Sequence, residues 1–276
     1  MKKILIVGCY GMMGYNIFTI LNNNDKYKVF GSCRQGKKHT THNNIYEVNH
    51  LENFDINNFI DFIKPDVIIN CIAQLRETNI NEKINMVHAN CLIPLYLAEI
   101  CDKNNIYFIH FSTDAVFGSN NLSDKKDNYL PDSFYGLTKC ISEFINKNGI
   151  ILRICPIGYE KFSNKSLFNF IYNNDKNTIN GYKNCFFNGA TTLTIIKYII
   201  DLIDNKKLTG IYHITSDQIS KFDLLNLIND TFKLNKTIIP IEEPKISRIL
   251  KEDLKTYYSS WESQIKELYS NMHLFN

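Results

Sequence analysis

The stretch that decides the fold is "ILIVGCYGMMGYNIFTIL", residues 4–21. An unbroken aliphatic run stops at Gly8, three glycines (Gly8, Gly11, Gly14) punctuate the next turns, and an apolar helical period resumes from Tyr15. A buried strand that feeds a glycine-rich turn and then a helix is the opening of a parallel βαβ unit. The physical use of such a turn is to bring backbone N–H groups and the positive end of a helix close to a pyrophosphate, an approach that side chains would block. The spacing is GxxGxxG rather than GxGxxG, so its position between strand and helix carries the reading.

Outward from this unit, short β-branched runs at 3–7, 28–32, 67–71, 106–111 and 150–155 alternate with helical patterns at 15–21, 90–102 and 135–146. Near-continuous apolar strands separated by helices predict a doubly wound parallel Rossmann-type α/β sheet, covered on both faces. After "LRICP" the rhythm breaks: 157–187 reads as loop-rich and aromatic, "TTLTIIKYIIDLI" resumes a helix, "GIYHITS" supplies a late strand, and helices are expected at 221–233 and within 247–270. The expected organisation is a nucleotide-binding domain over 1–155, completed by about 188–216. A smaller substrate-binding lobe, 156–187 with 217–276, would sit over the sheet's carboxyl edge, where such folds place ligands.

Composition narrows the classes. In 276 residues, 31 Lys plus Arg against 28 Asp plus Glu leave a net charge of +3, with no basic block to suggest nucleic acid. A chain of this length buries roughly 75% of its unfolded surface and needs no disulfide to hold a core. The eight cysteines are scattered, with no CxxC pair, and read as reduced thiols in a cytoplasm. The seven histidines show no metal-ligand spacing, so no metal is expected. "MKKILIVG" loses its apolar character at Gly8, and "TIIKYIIDLI" (194–203) is too short and too charged to span a bilayer, so a soluble protein without a membrane partner is expected.

Two further stretches carry chemistry. Strand two ends "FGSCRQGKK", placing Arg34, with Lys37 and Lys38 behind it, where a site for NAD would offer an acid to the ribose 2′-hydroxyl. Cations there suit a 2′-phosphate and favour NADP(H), with NAD(H) as the alternative. In "FYGLTKC", Tyr135 and Lys139 stand at i and i+4 on one helix face. A nearby cation lowers a phenol's pKa by about 1–3 units, which makes Tyr135 a proton donor to a carbonyl becoming an alkoxide. Thr113, in "FSTDAVFG", is placed to hydrogen-bond the same oxygen. His110, earlier in that strand, reads as a packing or capping residue.

With "GCYGMMG", "NCIA" (70–73), "FSTDAVFG", "YGLTK" and "LRICPIGYE" in this order, the chain resembles the extended short-chain dehydrogenase/reductase superfamily. "NGATTLTIIKYI" followed by "GIYHIT" resembles its dTDP-4-dehydrorhamnose reductase branch. The resemblance implies a catalytic set of Thr113, Tyr135 and Lys139. It also implies cofactor contacts from Gly8, Gly11, Met12, Met13 and Gly14, from Ile72 and Ala73, and from Tyr135 and Lys139. Asn49 stands where the family often has an Asp near adenine. Related 4,6-dehydratases resemble "STDEVYG" and use the Asp–Glu pair to remove water, and epimerase-reductases of the GDP-fucose synthase type have a Cys at that point. Ala115 supplies neither group, and Asp114 alone reads as a strand-end hydrogen bond. What the resemblance leaves is NADPH-dependent reduction of a nucleotide-linked 4-keto-6-deoxy sugar for surface polysaccharide. A nucleotide-sugar epimerase and a non-catalytic NADP-binding regulatory subunit are the alternatives. In the lobe, Lys165, Asn169, Tyr182 and Arg248 are candidates for the substrate's diphosphate or base, with solvated-surface roles as the competing reading. A homodimer is a permitted assembly.

Overall fold

The computed structural model describes all residues except 35, 37–41, 50–52, 120, 124–128, 144–147, 252–259 and 276. Its centre is a parallel sheet of seven strands: β1 (Lys2–Val7), β2 (Tyr27–Cys33), β3 (Ile45–Glu47), β4 (Val67–Asn70), β5 (Tyr107–Thr113), β7 (Gly149–Ile154) and β12 (Gly210–His213). Their spatial order is β12-β7-β5-β4-β1-β2-β3. The chain winds outward one way from β1 through β2 to β3, then the other way from β4, so the strand order reverses between β1 and β4. A crevice opens at the carboxyl ends of strands at such a reversal.

The strands are aliphatic on both faces because both faces are covered. Helices α1 (Met12–Asn22) and α7 (Thr192–Asp201) pack on one side, where Ile17, Leu21, Ile195 and Ile199 meet Ile4, Ile6, Ile109 and Leu152. On the other side α2 (Asn53–Ile63) and α4 (Ile93–Lys103) bring Ile60, Ile63, Leu97 and Cys101 onto Leu5, Ile68 and Phe108. Helix α4 continues α3 (Ile80–Val87) through a π-helical stretch, His88–Leu92. The expected helix from 90 therefore begins at Ile80. Its first turns are polar, and the start is fixed by the Asn79 side chain, which accepts from the Glu82 N–H at 3.0 Å. By length and composition alone the run Ile80–Lys103 would span a membrane; here its α4 half is a core helix.

Helix α5 (Phe134–Ile141) follows a short strand, β6 (Asn121–Ser123). The remaining elements are β8 (Pro156–Ile157), α6 (Leu167–Tyr172), β9 (Thr178–Tyr182), β10 (Cys185–Phe187), β11 (Ala190–Thr191), β13 (Ile219–Ser220), α8 (Lys221–Phe232), β14 (Thr237–Ile241), β15 (Ile246–Leu250) and α9 (Trp261–Asn271). Phe168, Leu224, Ile228, Trp261, Ile265 and Phe275 close a separate core among them. Two expectations are corrected here. The region 157–187 holds three short strands and a helix rather than loops. Residues 246–250 are a strand, not the start of a helix over 247–270, because the run "ISRIL" pairs in parallel with β10 and β6. The last helix starts at Trp261.

A buried ionic knot ties these parts together. Arg153 on β7 is 1% exposed, and its Nε and Nη2 donate to Glu143 at 2.9 and 2.6 Å. Nη2 also reaches the Tyr129 hydroxyl at 3.3 Å, and the guanidinium lies 4.5 Å from the Phe117 ring centre. Nη1 donates to His213 Nε2 at 3.0 Å, which leaves the ring proton on Nδ1 to be given to the Lys251 carbonyl at 2.9 Å. One cation thus joins β7, β12, the end of α5 and the chain leaving β15. Losing one partner of such a pair strands the other charge in the interior, at a cost of about 3–5 kcal/mol. Arg153→Met should therefore lower the urea-unfolding free energy by about that amount. An unfolding midpoint within experimental error of the parent would contradict the assignment.

Candidate active site

Gly8, directly after β1, has φ +84°, a conformation L-residues rarely adopt, and a Cβ there would stand 2.8 Å from Ile72 Cγ1. A Cβ on Gly14 would fall 2.2 Å from the Gly8 carbonyl oxygen. The tight turn exists only because both side chains are missing. Gly11 is the N-cap of α1 and makes no side-chain cap bond, so the first N–H groups of that helix, those of Met12, Met13 and Gly14, keep no partner from the cap. Ile72 and Ala73 follow β4 directly across from this turn, and the Ile72 N–H donates to Asn70 Oδ1 at 3.1 Å. Arg34 follows β2 and is exposed, and Asn49 follows β3 half-buried; Lys37 and Lys38 lie outside the described residues. The cradle's shape and its free helix N–H groups fit a dinucleotide diphosphate.

Next to this cradle β5 ends at Thr113, and a 3₁₀ turn, Asp114–Phe117, follows. The Thr113 hydroxyl accepts from the Ala115 N–H at 3.2 Å and donates to Asp114 Oδ1 at 2.8 Å. Asp114 therefore braces the strand end. Burial raises its pKa above the ordinary carboxylate value, against the pull of Thr113 and Arg248. Ala115 is 3% exposed. Helix α5 starts under the Ser133 cap, whose hydroxyl accepts from Gly136 N at 3.0 Å. Gly136 lets it come flush: a Cβ there would sit 2.4 Å from the Ala115 carbonyl oxygen. The first turn of α5 then delivers Tyr135 beside Thr113, and the next turn delivers Lys139.

The electrostatics differ from the expected cation-lowered phenol. Burial first, and then the Asp114 carboxylate, push the Tyr135 pKa well above its ordinary value, while Thr113 and Arg248 pull it down. Lys139 is 2% exposed, its Nζ lies 3.2 Å from His110 Nε2, and burial pushes its pKa down to about 8 against the upward pull of Glu143 and Cys91. Tyr135 is therefore a protonated phenol throughout the neutral range. The Cys71 and Cys155 thiols are pushed up by burial and are not thiolates. No cluster of metal-ligating side chains occurs among the described residues.

Of the lobe candidates, Arg248 reaches the site. It sits on β15, held by Asp132 at 3.2 Å and Ser119 at 3.4 Å, and its charge is felt by Asp114, Tyr135 and Cys155. Its Nε is buried without a hydrogen-bond partner. Lys165 is exposed, and its charge acts on Glu82 at the start of α3. Tyr182 is exposed at the end of β9. Asn169 is not open to a ligand. Its Oδ1 accepts from Glu160 N at 2.9 Å, and its Nδ2 donates to the carbonyls of Glu160 and Ser163 at 2.7 and 3.0 Å, so it braces its own loop. Sequence reasoning missed the Asp132–Ser119 support for Arg248, which nothing in the spacing announces. It also undervalued His110, whose signal is a polar residue inside the apolar run "YFIHF".

The family model for the RmlD substrate binding domain matches residues 1–273. The dTDP-4-dehydrorhamnose reductase of Aggregatibacter actinomycetemcomitans is 25% identical over 272 residues, 93% of this chain and 87% of that protein. "Probable low-salt glycan biosynthesis reductase Agl14" of Haloferax volcanii is 26% identical over 156 residues, 54% of this chain and 51% of its own. Among solved structures, the dTDP-4-dehydrorhamnose reductase of Bacillus anthracis in complex with NADP superposes with a TM-score of 0.83 at 16% identity, over 98% of this chain and 99% of that one. At such identity the last likeness is one of fold. The glycine cradle, Tyr135 beside Thr113 and the match along almost the whole chain agree: this protein belongs to the RmlD substrate binding domain family, in the dTDP-4-dehydrorhamnose reductase-like branch of the extended short-chain dehydrogenase/reductases.

Proposed function

We propose that the protein is an NADPH-dependent reductase of a nucleotide-linked 4-keto-6-deoxy sugar, of the dTDP-4-dehydrorhamnose reductase type, working in the cytoplasm in surface polysaccharide synthesis. The feature that supports this reading most is Tyr135 held beside Thr113, with Lys139 one helical turn further along α5, and with Ala115 where an acid or thiol would be needed for elimination or epimerisation. The names of the curated relatives, a dTDP-4-dehydrorhamnose reductase and a glycan biosynthesis reductase, support it. Eight free cysteines suit a reducing compartment.

When bound, a reduced nicotinamide supplies hydride to the keto carbon. Tyr135 gives its phenolic proton to the carbonyl oxygen as charge develops there, and its raised pKa keeps that proton in place at neutral pH. Thr113 orients the same oxygen, Lys139 holds the ribose side, and the N–H groups of Met12, Met13 and Gly14 take the diphosphate. Arg248 serves the substrate's own diphosphate, and exposed Lys165 and Tyr182 are further candidates for its diphosphate or base. Purified protein mixed with NADPH and a panel of nucleotide 4-keto sugars should consume NADPH stoichiometrically with one of them. Tyr135→Phe should lower that turnover by about 10²–10⁴-fold while still binding NADPH. No turnover on any member, or an undiminished Tyr135→Phe enzyme, would reject the assignment.

Arg34 supports NADP(H) over NAD(H), since no acid stands at the end of β2 to receive a free 2′-hydroxyl. By calorimetry NADPH should bind more tightly than NADH, and Arg34→Ala should erode the difference; equal affinities in the parent would refute the preference. A homodimer would use the face where exposed Ile80, Ile84 and Leu92 of the long helical run adjoin Leu137 and Ile141 of α5. Sedimentation should then give a dimer that Ile84→Glu with Leu137→Glu dissociates, and a monomer at all concentrations would discard it.

A further inference from the structure

His110 lies in the middle of β5, fully buried, with three polar neighbours around its ring. Nδ1 is 3.1 Å from Asn70 Nδ2, and Nε2 is 3.1 Å from Ser142 Oγ and 3.2 Å from Lys139 Nζ. The neighbours assign the tautomer. Asn70 Oδ1 is occupied by the Ile72 N–H, so its amide nitrogen faces His110 as a donor, and Nδ1 must be the bare, accepting nitrogen. The Ser142 hydroxyl spends its one proton on the Lys139 carbonyl at 2.8 Å, so its oxygen can only accept, and it accepts from an Nε2–H. Both sides agree on the Nε2–H form. Lys139 Nζ therefore faces a donor, to which a neutral amine can offer a lone pair and an ammonium can offer nothing.

We propose that His110 is a positioning residue for Lys139, with its one Nε2–H shared between the Ser142 oxygen and the uncharged amine, so that charging Lys139 requires the ring proton to move to Nδ1. That move would set Nδ1–H against the Asn70 amide, and turning the amide would break its bond to Ile72, which lines the cofactor cradle. The proton state of Lys139 is thereby tied to the wall of the dinucleotide site. The titratable groups facing Lys139 are His110 from β5, Cys91 from the π-helical stretch and Glu143 from the chain just past α5. Glu143 is engaged by Arg153, and Cys91 donates to the Thr138 carbonyl at 3.2 Å. His110 itself is held neutral, by burial first and by Lys139 second. The inference rests on the reductase reading only for its consequence in catalysis, since the hydrogen-bond logic needs no substrate.

The test is a titration of the full chain carrying ¹³C-labelled lysine, with the Lys139 Cε resonance identified by its loss in Lys139→Met. In the parent the midpoint should lie near the value that burial imposes, about 8. His110→Gln can turn a carbonyl oxygen toward the ammonium, so the midpoint should rise by about one unit, the size of one charge-assisted hydrogen bond. The alkaline limb of kcat for carbonyl reduction should move up by the same amount. A His110→Gln protein whose turnover drops evenly at every pH, with the Lys139 midpoint unmoved, would overturn the proposal and leave His110 a packing residue. Should the variant not fold, ring ¹⁵N shifts of the parent decide: Nε2–H above the lysine midpoint upholds it, and Nδ1–H there overturns it. A shifted midpoint in a protein that reduces no keto sugar would uphold the tautomer lock while rejecting the reductase reading.

Discussion

The site depends on one close approach. Helix α5 lies so near the turn after β5 that no side chain fits between Gly136 and the Ala115 carbonyl. The Ser133 cap fixes where the helix starts, and from that start the helical repeat dictates that Tyr135 meets Thr113 and that Lys139 meets His110. A helix displaced outward by even one methyl group would separate donor from strand end. Positioning at this scale is where much of an enzyme's rate advantage is made or lost. Ala115 takes part through its backbone and brings no chemistry of its own. The turn is thereby left with a threonine hydroxyl and a braced carboxylate as its polar equipment.

The rest of the molecule holds that approach in register with the cofactor cradle and the lobe. The reversal of strand order between β1 and β4 sets the glycine turn beside Ile72, and β5 is the next strand along. The Arg153 knot then joins the end of α5 to β7, β12 and the segment after β15, the strand that carries Arg248 over Asp114 and Tyr135. The burial that makes the site precise also sets its acid–base character. It keeps the Tyr135 proton on and loosens the one on Lys139. A phenol that keeps its proton through the neutral range is suited to giving it to a nascent alkoxide.

Much of this was legible in the chain because it rests on local rules. An aliphatic run stopped by Gly8, glycines at fixed offsets, and a tyrosine and lysine one helical turn apart each have a meaning independent of the rest of the fold. The lobe was less legible. "ISRIL" reads as helix or strand with equal ease, and what makes it a strand is the presence of β10 and β6 on either side, partners distant in sequence. The start of the long helical run at Ile80 escaped because its first turns are polar and only the Asn79 cap marks them. Asn169 looked available because a sequence does not tell which of its neighbours' carbonyls a carboxamide will find. The pairing of Lys139 with His110 arises from two elements meeting in three dimensions and has no spacing to announce it.

The central claim, that this site transfers a hydride and a proton and does nothing else to the sugar, is tested most directly by following hydrogen. The protein would be incubated with a nucleotide 4-keto-6-deoxy sugar and NADPH carrying deuterium on its transferable position, and in parallel with unlabelled NADPH in D₂O. Products would be read by NMR. The account predicts deuterium at C4 of the sugar from the labelled cofactor and none from solvent at C3 or C5. Solvent deuterium at C3 or C5, or release of a 4-keto product from a nucleotide hexose whose 4-hydroxyl is intact, would contradict it.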